Sequence, residues 1–402
     1  MAKTNHRWVV AFPGARDAYQ LPIALRESGL LETLVTDFYA PLDRRVFANA
    51  SRLFPSSLRS KLTRRFDPAL PSKSVESHAH YAIQNWWDAD GWMQRVGSLG
   101  ERAGRIAARE RCSILAYAHV ATSAFAAAGV GAKVLMQMQP HPTSVRTALL
   151  SDKFLPEFED QTSNELSWDR RILDTFSREP LLADLCIVAS SHTRRTLLEN
   201  GISQDRLAVV PYGVDLEFFC PAESPRDKLS MLFVGQLCRQ KGLHYLLEAW
   251  RRLRLPDAEL RIVGPLPRNQ SSFTKYGLVA RFLGSLNWME LRDEYRRADL
   301  LCLPSLSDGF GQVVLEALAC GTPALTTNSA GASDLIQQRE NGLLIPAADL
   351  DSLVNSLDWA SQNRDKLRQM RSPARATAEQ YSWTRFRSSI VKILQSLTGG
   401  RK

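Results

Sequence analysis

No run of roughly eighteen or more consecutive apolar residues occurs in this 402-residue chain, so no segment qualifies as a membrane-spanning helix. The start, MAKTNHRWVVAF, has a polar opening and a short apolar run, and reads as neither a signal peptide nor an anchor. Cysteine is sparse: Cys112, Cys186, Cys220, Cys238, Cys302 and Cys320 form no close pair and have no histidine at metal-ligand spacing. Three of them sit inside apolar runs (LADLCIVAS, ADLLCLPS, LEALACG), which suits reduced core thiols of a cytoplasmic protein and argues against a zinc site. Short-period repeats and low-complexity tracts are absent as well, which excludes solenoids and arrays.

What is present is an ordinary globular composition, 44% hydrophobic and 23% charged, in a chain too long for one core. Two domains of similar size are expected. The net charge of +9 is unevenly spread, because residues 1–150 carry 19 Lys and Arg against 11 Asp and Glu. The densest stretch, DRRVFANASRLFPSSLRSKLTRRF (43–66), interleaves arginines and a lysine with Val46, Phe47, Leu53, Phe54, Leu58, Leu62 and Phe66. Such a pattern suits an anionic membrane surface, and equally a solvated excursion over the first domain. Nucleic acid is disfavoured as a partner, since no recognised binding motif accompanies the charge.

In the second half, MLFVG (231–235), ELRIVG (259–264), DLLCLPS (299–305), PALTT (323–327) and GLLIP (342–346) read as buried strands. Between them HYLLEAWRRLR, MELRDEYRRA, GQVVLEALAC and ASDLIQQR read as helices. Near-continuously apolar strands alternating with amphipathic helices imply a parallel sheet covered on both faces, a doubly wound α/β domain. RWVVAFPG, CSILAYA, AKVLMQMQ, ADLCIVAS and LAVVPYG repeat the theme in the first half, and helices and loops are expected between Pro142 and Arg178. The expected division is 1–217, 218–380 and a final segment, 381–402, with a helix after Trp383. Two Rossmann-like domains in tandem would face a central cleft, with ligands at the carboxyl ends of the strands.

The strongest constellation is SDGFGQVVLEALACGTPALT, residues 307–326. Gly309 and Gly311 permit a tight turn and close approach of a ligand to the backbone, with Phe310 between them. The amides and dipole at the start of the following helix favour an anion such as phosphate. Glu316 is a carboxylate among Val313, Val314, Leu315, Ala317 and Leu318, expensive to bury without a partner, and the vicinal hydroxyls of a ribose are a suitable one. The plain alternative makes Glu316 a solvent-facing side chain and Asp308 a helix N-cap.

The motif D-G-F-G-x-x-x-L-E-A-x-A-C-G-x-P resembles the signature of the retaining glycosyltransferases of family 4, also called group 1, with the GT-B fold. The resemblance implies that Glu316 holds the donor ribose and that Asp308, where the family usually has Glu, contacts hydroxyls of the transferred sugar. LSMLFVGQLCRQKGLHYLLEAW (229–250) is similar to the family's diphosphate clamp, with Lys241 as its phosphate-binding lysine. Gln236 stands where the family commonly has a second cation. Arg239 is a candidate replacement, or else a solvent-facing side chain. FLGSLNWMEL (282–291), containing Leu286, is similar to the stretch that flanks the nucleobase, and LAVVPYGVDLEFF (207–219) places Gly213 close to the donor. In the first half Gly14, in FPGARDAYQLP, matches the acceptor-side loop, and His141 matches an active-site histidine, with His119 as a rival. Ser190 or Ser191 reads as a helix cap.

The resemblance implies a metal-independent transfer, without cofactor, from a UDP- or GDP-sugar to a glycan or lipid-linked acceptor, in exopolysaccharide or cell-surface polysaccharide synthesis. The expected place is the cytoplasm, at the inner face of its membrane. The alternatives are a non-catalytic nucleotide-sugar-binding paralogue that supports a partner subunit, and a sugar-nucleotide epimerase.

Overall fold

The computed structural model describes residues 6–51, 54–78, 89–155, 164–222, 228–266, 276 and 279–399. Arg52 and Leu53 of the basic stretch lie outside the described residues.

Among the described residues the chain builds two sheets. The first contains β1 (Trp8–Ala11), β2 (Leu31–Thr36), β3 (Val75–Ser77), β4 (Ser113–Tyr117), β5 (Lys133–Gln137), β6 (Leu185–Val188) and β7 (Leu207–Val209). Its order is β3-β2-β1-β4-β5-β6-β7. The second contains β8 (Leu229–Val234), β9 (Ala258–Val263), β10 (Arg281–Gly284), β11 (Leu300–Leu303), β12 (Ala324–Thr327) and β13 (Gly342–Ile345), in the order β10-β9-β8-β11-β12-β13. Every pairing is parallel. The physical cause is in the composition of the central strands. WVVA, SILAY, LCIV, LSMLFV and LLCL are buried along their whole length, so both faces need cover, and crossover helices supply it. This is the expected α/β class, two Rossmann-like doubly wound domains.

Three strands escaped the sequence reading. β3 and β10 are edge strands with only partly buried side chains, and β2 opens with a charged, half-exposed turn of sequence. One predicted helix is absent. ASDLIQQR forms only a short 3-10 turn at Gly331–Leu335, and Ile336 already leaves it in extended conformation towards β13.

The C-terminal helix, Trp383–Gly399, packs across the Gln20–Glu27 helix of the first domain. Arg387 holds Gln20 at 2.6 Å and Glu27 at 3.2 Å, while Phe386, Ile390 and Leu394 are buried. Just before it, Ser382 bridges to Val214 in the connection between the domains.

The basic stretch forms helices at Arg45–Ser51 and Ser56–Thr63. Val46, Phe54 and Leu58 are exposed there. Arg65 departs from that surface. Its guanidinium turns inward to Asp37, 3.0 Å away, and it is only 21% exposed. No helix among the described residues is long and apolar enough to cross a membrane. All six cysteines are free thiols, and only Cys220 is not buried.

Candidate functional site

Each sheet order reverses once, between β1 and β4 in the first domain and between β8 and β11 in the second. Open doubly wound sheets present ligands with a crevice at such a reversal, outside the carboxyl ends of the strands. In the second domain the loops leaving β8 and β11 supply Lys241 and Asp308. Lys241 Nζ donates to Asp308 Oδ2 at 2.6 Å, with the two side chains 19% and 6% exposed. Burial disfavours the ammonium, but the adjacent carboxylate more than offsets that and the lysine pKa is raised.

Asp308 is not the helix N-cap. Gly311 takes that position in left-handed conformation (φ +79°), and the Gln312–Ala319 helix follows. Glu316 is 5% exposed, which removes the solvent-facing alternative. Its Oε2 accepts from the hydroxyl of the fully buried Tyr295 at 2.7 Å. Burial pushes Glu316 up to about 7, and Tyr295 opposes that shift by donating to the carboxylate. The helix stops at Cys320, with Gly321 left-handed beyond it, as its sequence predicts.

Gly309 is required by a close approach, although the approaching group is protein. A Cβ there would lie 1.9 Å from the Met138 carbonyl oxygen. The Gly309 carbonyl accepts from Ser190 Oγ at 2.6 Å and Thr193 Oγ1 at 3.1 Å, so the first domain docks directly on the loop. Ser190 also caps the Ser191–Glu199 helix, and Ser191 N–H donates to Asp334 of the second domain at 2.7 Å. Phe310 is buried edge-on against Tyr212, ring centroids 5.5 Å apart. The Gly213 carbonyl accepts from Gln312 Nε2 at 2.8 Å, and the glycine packs against Ser382 and Trp383.

Two expected residues are placed differently. Arg239 does not stand beside Lys241 facing the crevice. Its guanidinium reaches back to Asp152 Oδ2 at 2.5 Å and to the carbonyls of Phe154 and Leu155 at 2.9 and 2.8 Å. His244 and Tyr245 complete that cluster at 2.8 and 2.9 Å from the same carboxylate. Burial alone would raise Asp152; the donation from His244 and the charges around it bring its pKa to about 2. His141 likewise turns into its own domain. Its Nε2 bonds the Ser177 carbonyl at 3.0 Å, its main-chain N–H donates to Thr196, and burial lowers its pKa. The rival His119 packs among Trp92, Trp168 and Phe176, with burial holding its pKa near 3. Gln236 is exposed at the end of β8, and Leu286 is half-buried ahead of the Trp288–Arg297 helix.

The histidine that does lie towards the second domain is His192, which the sequence reading passed over in favour of the neighbouring serines. It is buried on the first turn of the Ser191–Glu199 helix, within electrostatic reach of Asp308 and Asp334, and burial lowers its pKa to about 4. On the first-domain side Gly14 is left-handed (φ +86°) and its N–H donates to Asp37 at 2.8 Å. Asp17, three residues on, bonds the Tyr117 hydroxyl, and burial pushes it up to about 6. No group of three or more His, Cys, Asp or Glu among the described residues is placed to hold a metal ion.

The sequence pattern of the family described as Glycosyl transferases group 1 matches residues 217–377. This segment is a group 1 domain. It contains β8 to β13, Lys241, Asp308, Tyr295 and Glu316. The chain is similar to the D-inositol 3-phosphate glycosyltransferase of Corynebacterium urealyticum, 32% identical over 218 residues, covering 48% of this chain and 51% of the relative. It is also similar to the sulfoquinovosyl transferase SQD2 of Arabidopsis thaliana, 29% identical over 227 residues, 52% of this chain and 44% of that one. The chain thus spans about half the length of the curated relatives it matches. Likeness of fold extends further. Sucrose-phosphate synthase from Thermosynechococcus elongatus superposes with a TM-score of 0.72 at 17% identity, covering 98% of this chain and 99% of that one. Anabaena Alr3699/HepE in complex with UDP and glucose gives 0.63 at 18% identity, covering 97% and 99%. The group 1 domain and the first domain together therefore make a GT-B fold.

Proposed function

We propose that this chain is a retaining glycosyltransferase that moves a sugar from a UDP- or GDP-sugar to a glycan or lipid-linked acceptor in cell-surface polysaccharide synthesis. The observation that carries the reading is the Lys241–Asp308 pair at the β8/β11 crevice, beside the helix that holds buried Glu316. The donor diphosphate would lie against Lys241 and the amides at the start of the Gln312–Ala319 helix, which act without a metal. The ribose would take the Glu316 oxygen that Tyr295 leaves open, and Asp308 would meet hydroxyls of the sugar. Asp308 is bound by an ammonium and therefore a weak nucleophile, which favours same-face substitution over a double displacement. The exposed side chains of Arg45, Val46, Phe54, Leu58, Arg59, Lys61 and Arg64 would rest on the anionic inner face of the cytoplasmic membrane.

A second reading has one observation in its favour. Arg239 is committed to Asp152, and Gln236 is uncharged, which suits a non-catalytic nucleotide-sugar-binding paralogue. Incubation with labelled UDP-, GDP- and ADP-sugars and a membrane extract separates the two. Labelled product supports the transferase, binding without turnover across the panel supports the paralogue, and release of a sugar epimer without acceptor supports an epimerase.

A further inference from the structure

One of the six thiols differs from the others in its setting, and a second cysteine lies beside it. Cys220 is half-buried in the connection between the domains, whereas Cys112, Cys186, Cys238, Cys302 and Cys320 are buried. Burial pushes Cys112 up to about 11 and Cys186 and Cys320 up to about 12, which makes them poor nucleophiles at neutral pH. Arg296, on the Trp288–Arg297 helix, grips Cys220 twice. Its Nε donates to the Cys220 carbonyl at 2.7 Å and its Nη2 to the Cys220 Sγ at 2.9 Å. Partial exposure beside a positive charge is the setting in which thiols react.

Cys320 is brought alongside by contacts on both sides of the pair. Nη1 of Arg375 donates to the carbonyls of Phe219 and Ala319, at 2.9 and 2.8 Å, so one nitrogen joins the peptide groups that precede the two cysteines. Just after them Pro221 packs on Gly321, where a Cβ would lie 3.4 Å from Pro221 Cγ. Residues 219–221 therefore run alongside 319–321, and Cys320 feels the charges of both Arg296 and Cys220. The place is close to the candidate donor site. Cys320 ends the Gln312–Ala319 helix and donates its N–H to the Glu316 carbonyl at 3.1 Å. Phe219 packs edge-on against Tyr295, ring centroids 6.0 Å apart.

We propose that Cys220 is an oxidation site for peroxide and that Cys320 is its resolving partner, so that the pair closes to a disulfide that ties the interdomain connection to the helix of Glu316. The Cys220 thiolate attacks one oxygen of hydrogen peroxide. The S–O bond forms, the O–O bond breaks, and the departing hydroxide takes a proton to become water, leaving a sulfenic acid. Cys320 Sγ then attacks the sulfenic sulfur. The S–S bond forms, the S–O bond breaks, and the second hydroxide leaves as water with the Cys320 proton. Two thiols give up two electrons and one peroxide becomes two waters. Because burial keeps Cys320 in its thiol form, the second step is the slower one and the sulfenic acid can be trapped.

The test treats the full chain, reduced and freed of reductant, with hydrogen peroxide at neutral pH. Remaining thiols are blocked and the unreduced peptides are mapped by mass spectrometry. The expected result is a peptide joining Cys220 to Cys320 within one molecule, reversed by dithiothreitol. In Cys320→Ala the sulfenic acid loses its partner, so dimedone should label Cys220 about tenfold or more above Cys112, Cys186 and Cys302. Cys220→Ser should give neither product. Should Cys320→Ala fail to fold by circular dichroism, brief peroxide exposure of the wild type in dimedone supplies the same comparison. The bond closes a loop of about 100 residues at a contact already made, so the linked protein should melt several degrees above the reduced one. Cysteines whose Cα atoms stand more than roughly 7 Å apart cannot join without moving the backbone. Absence of the linked peptide from the wild type, joining of Cys220 to a second molecule instead, or a linked protein that melts below the reduced one overturns the proposal. So does dimedone labelling of Cys220 no greater than that of the buried cysteines. None of these measurements uses a nucleotide, so the donor reading stands or falls separately.

Discussion

The hydroxyl of Tyr295 donates to Oε2 of Glu316 across 2.7 Å, and both side chains are buried. One carboxylate oxygen is thereby fixed by the protein, and on the proposed function the other would accept from the donor ribose. Tyr295→Phe removes the fixed bond. It should weaken UDP- or GDP-sugar binding about tenfold at pH 7, the worth of a hydrogen bond to a charged group, with the fold kept. Calorimetry and circular dichroism check the two halves of that statement.

The same carboxyl makes the protein sensitive to pH. Burial raises Glu316 to about 7 from an ordinary value near 4.5, so ionising it costs folding free energy. The cost is absent below pH 4.5, grows as pH rises through that window, and is complete above 7. Glu316→Gln should therefore raise the thermal midpoint of the ligand-free protein above pH 7 and leave it nearly unchanged at pH 4.5. On the proposed ribose contact the donor hydroxyls would bind the ionised form, so donor affinity should tighten from pH 6 to pH 8 in the wild type. A flat affinity profile in the wild type would count against the ribose role.

Lys241 and Asp308 test how a paired charge behaves when its partner is removed. Lys241→Ala leaves Asp308 buried without its counter-ion and should cost about 2–4 kcal/mol of stability, read by urea unfolding. Lys241→Met combined with Asp308→Asn should recover most of that stability and none of the transfer activity. Recovery of activity in the double variant would remove both residues from the site.

Arg239 is predicted to act on the domain contact, in contrast to Lys241. Arg239→Ala should lower the thermal midpoint by several degrees, because Asp152 loses a buried cationic partner while remaining inside the cluster with His244 and Tyr245. Nucleotide affinity should change by less than about threefold, a surface-scale effect. A large loss of nucleotide affinity with unchanged stability would restore Arg239 to the diphosphate.

Membrane contact predicts that replacing Arg45, Arg59, Lys61 and Arg64 by glutamine reduces flotation on vesicles rich in anionic lipid. Each basic residue near such a surface is worth about 1 kcal/mol, so four should nearly abolish it. Arg65 is left out of that set because it belongs to Asp37.

The part of the architecture legible in the sequence was the part where burial is uniform. β8, β11 and β12 are runs of apolar residues between helices whose apolar stripes show plainly, and the sheet type follows from them. β10 and β3 are edges, half-wet and partly charged, and their sequences look like loops. Among the candidate residues, the meeting of Lys241 with Asp308 and the burial of Glu316 suit the short motifs in which they stand, each with its own backbone requirements. The place of Arg239 was not legible, because its partner Asp152 is 87 residues away and only tertiary structure brings them together. His192 sits in a turn whose serines announce a helix cap, and nothing local distinguishes its ring from any other on that helix.

The central claim is that the group 1 domain binds a nucleotide sugar through Glu316. Calorimetric titration of the wild type and of Glu316→Ala with UDP-, GDP- and ADP-sugars tests it most directly. One of these donors should bind the wild type at a single site, with affinity at least about tenfold weaker in Glu316→Ala and an unchanged far-ultraviolet spectrum. Equal affinity in the two proteins, or no binding of any donor to the wild type, would contradict it.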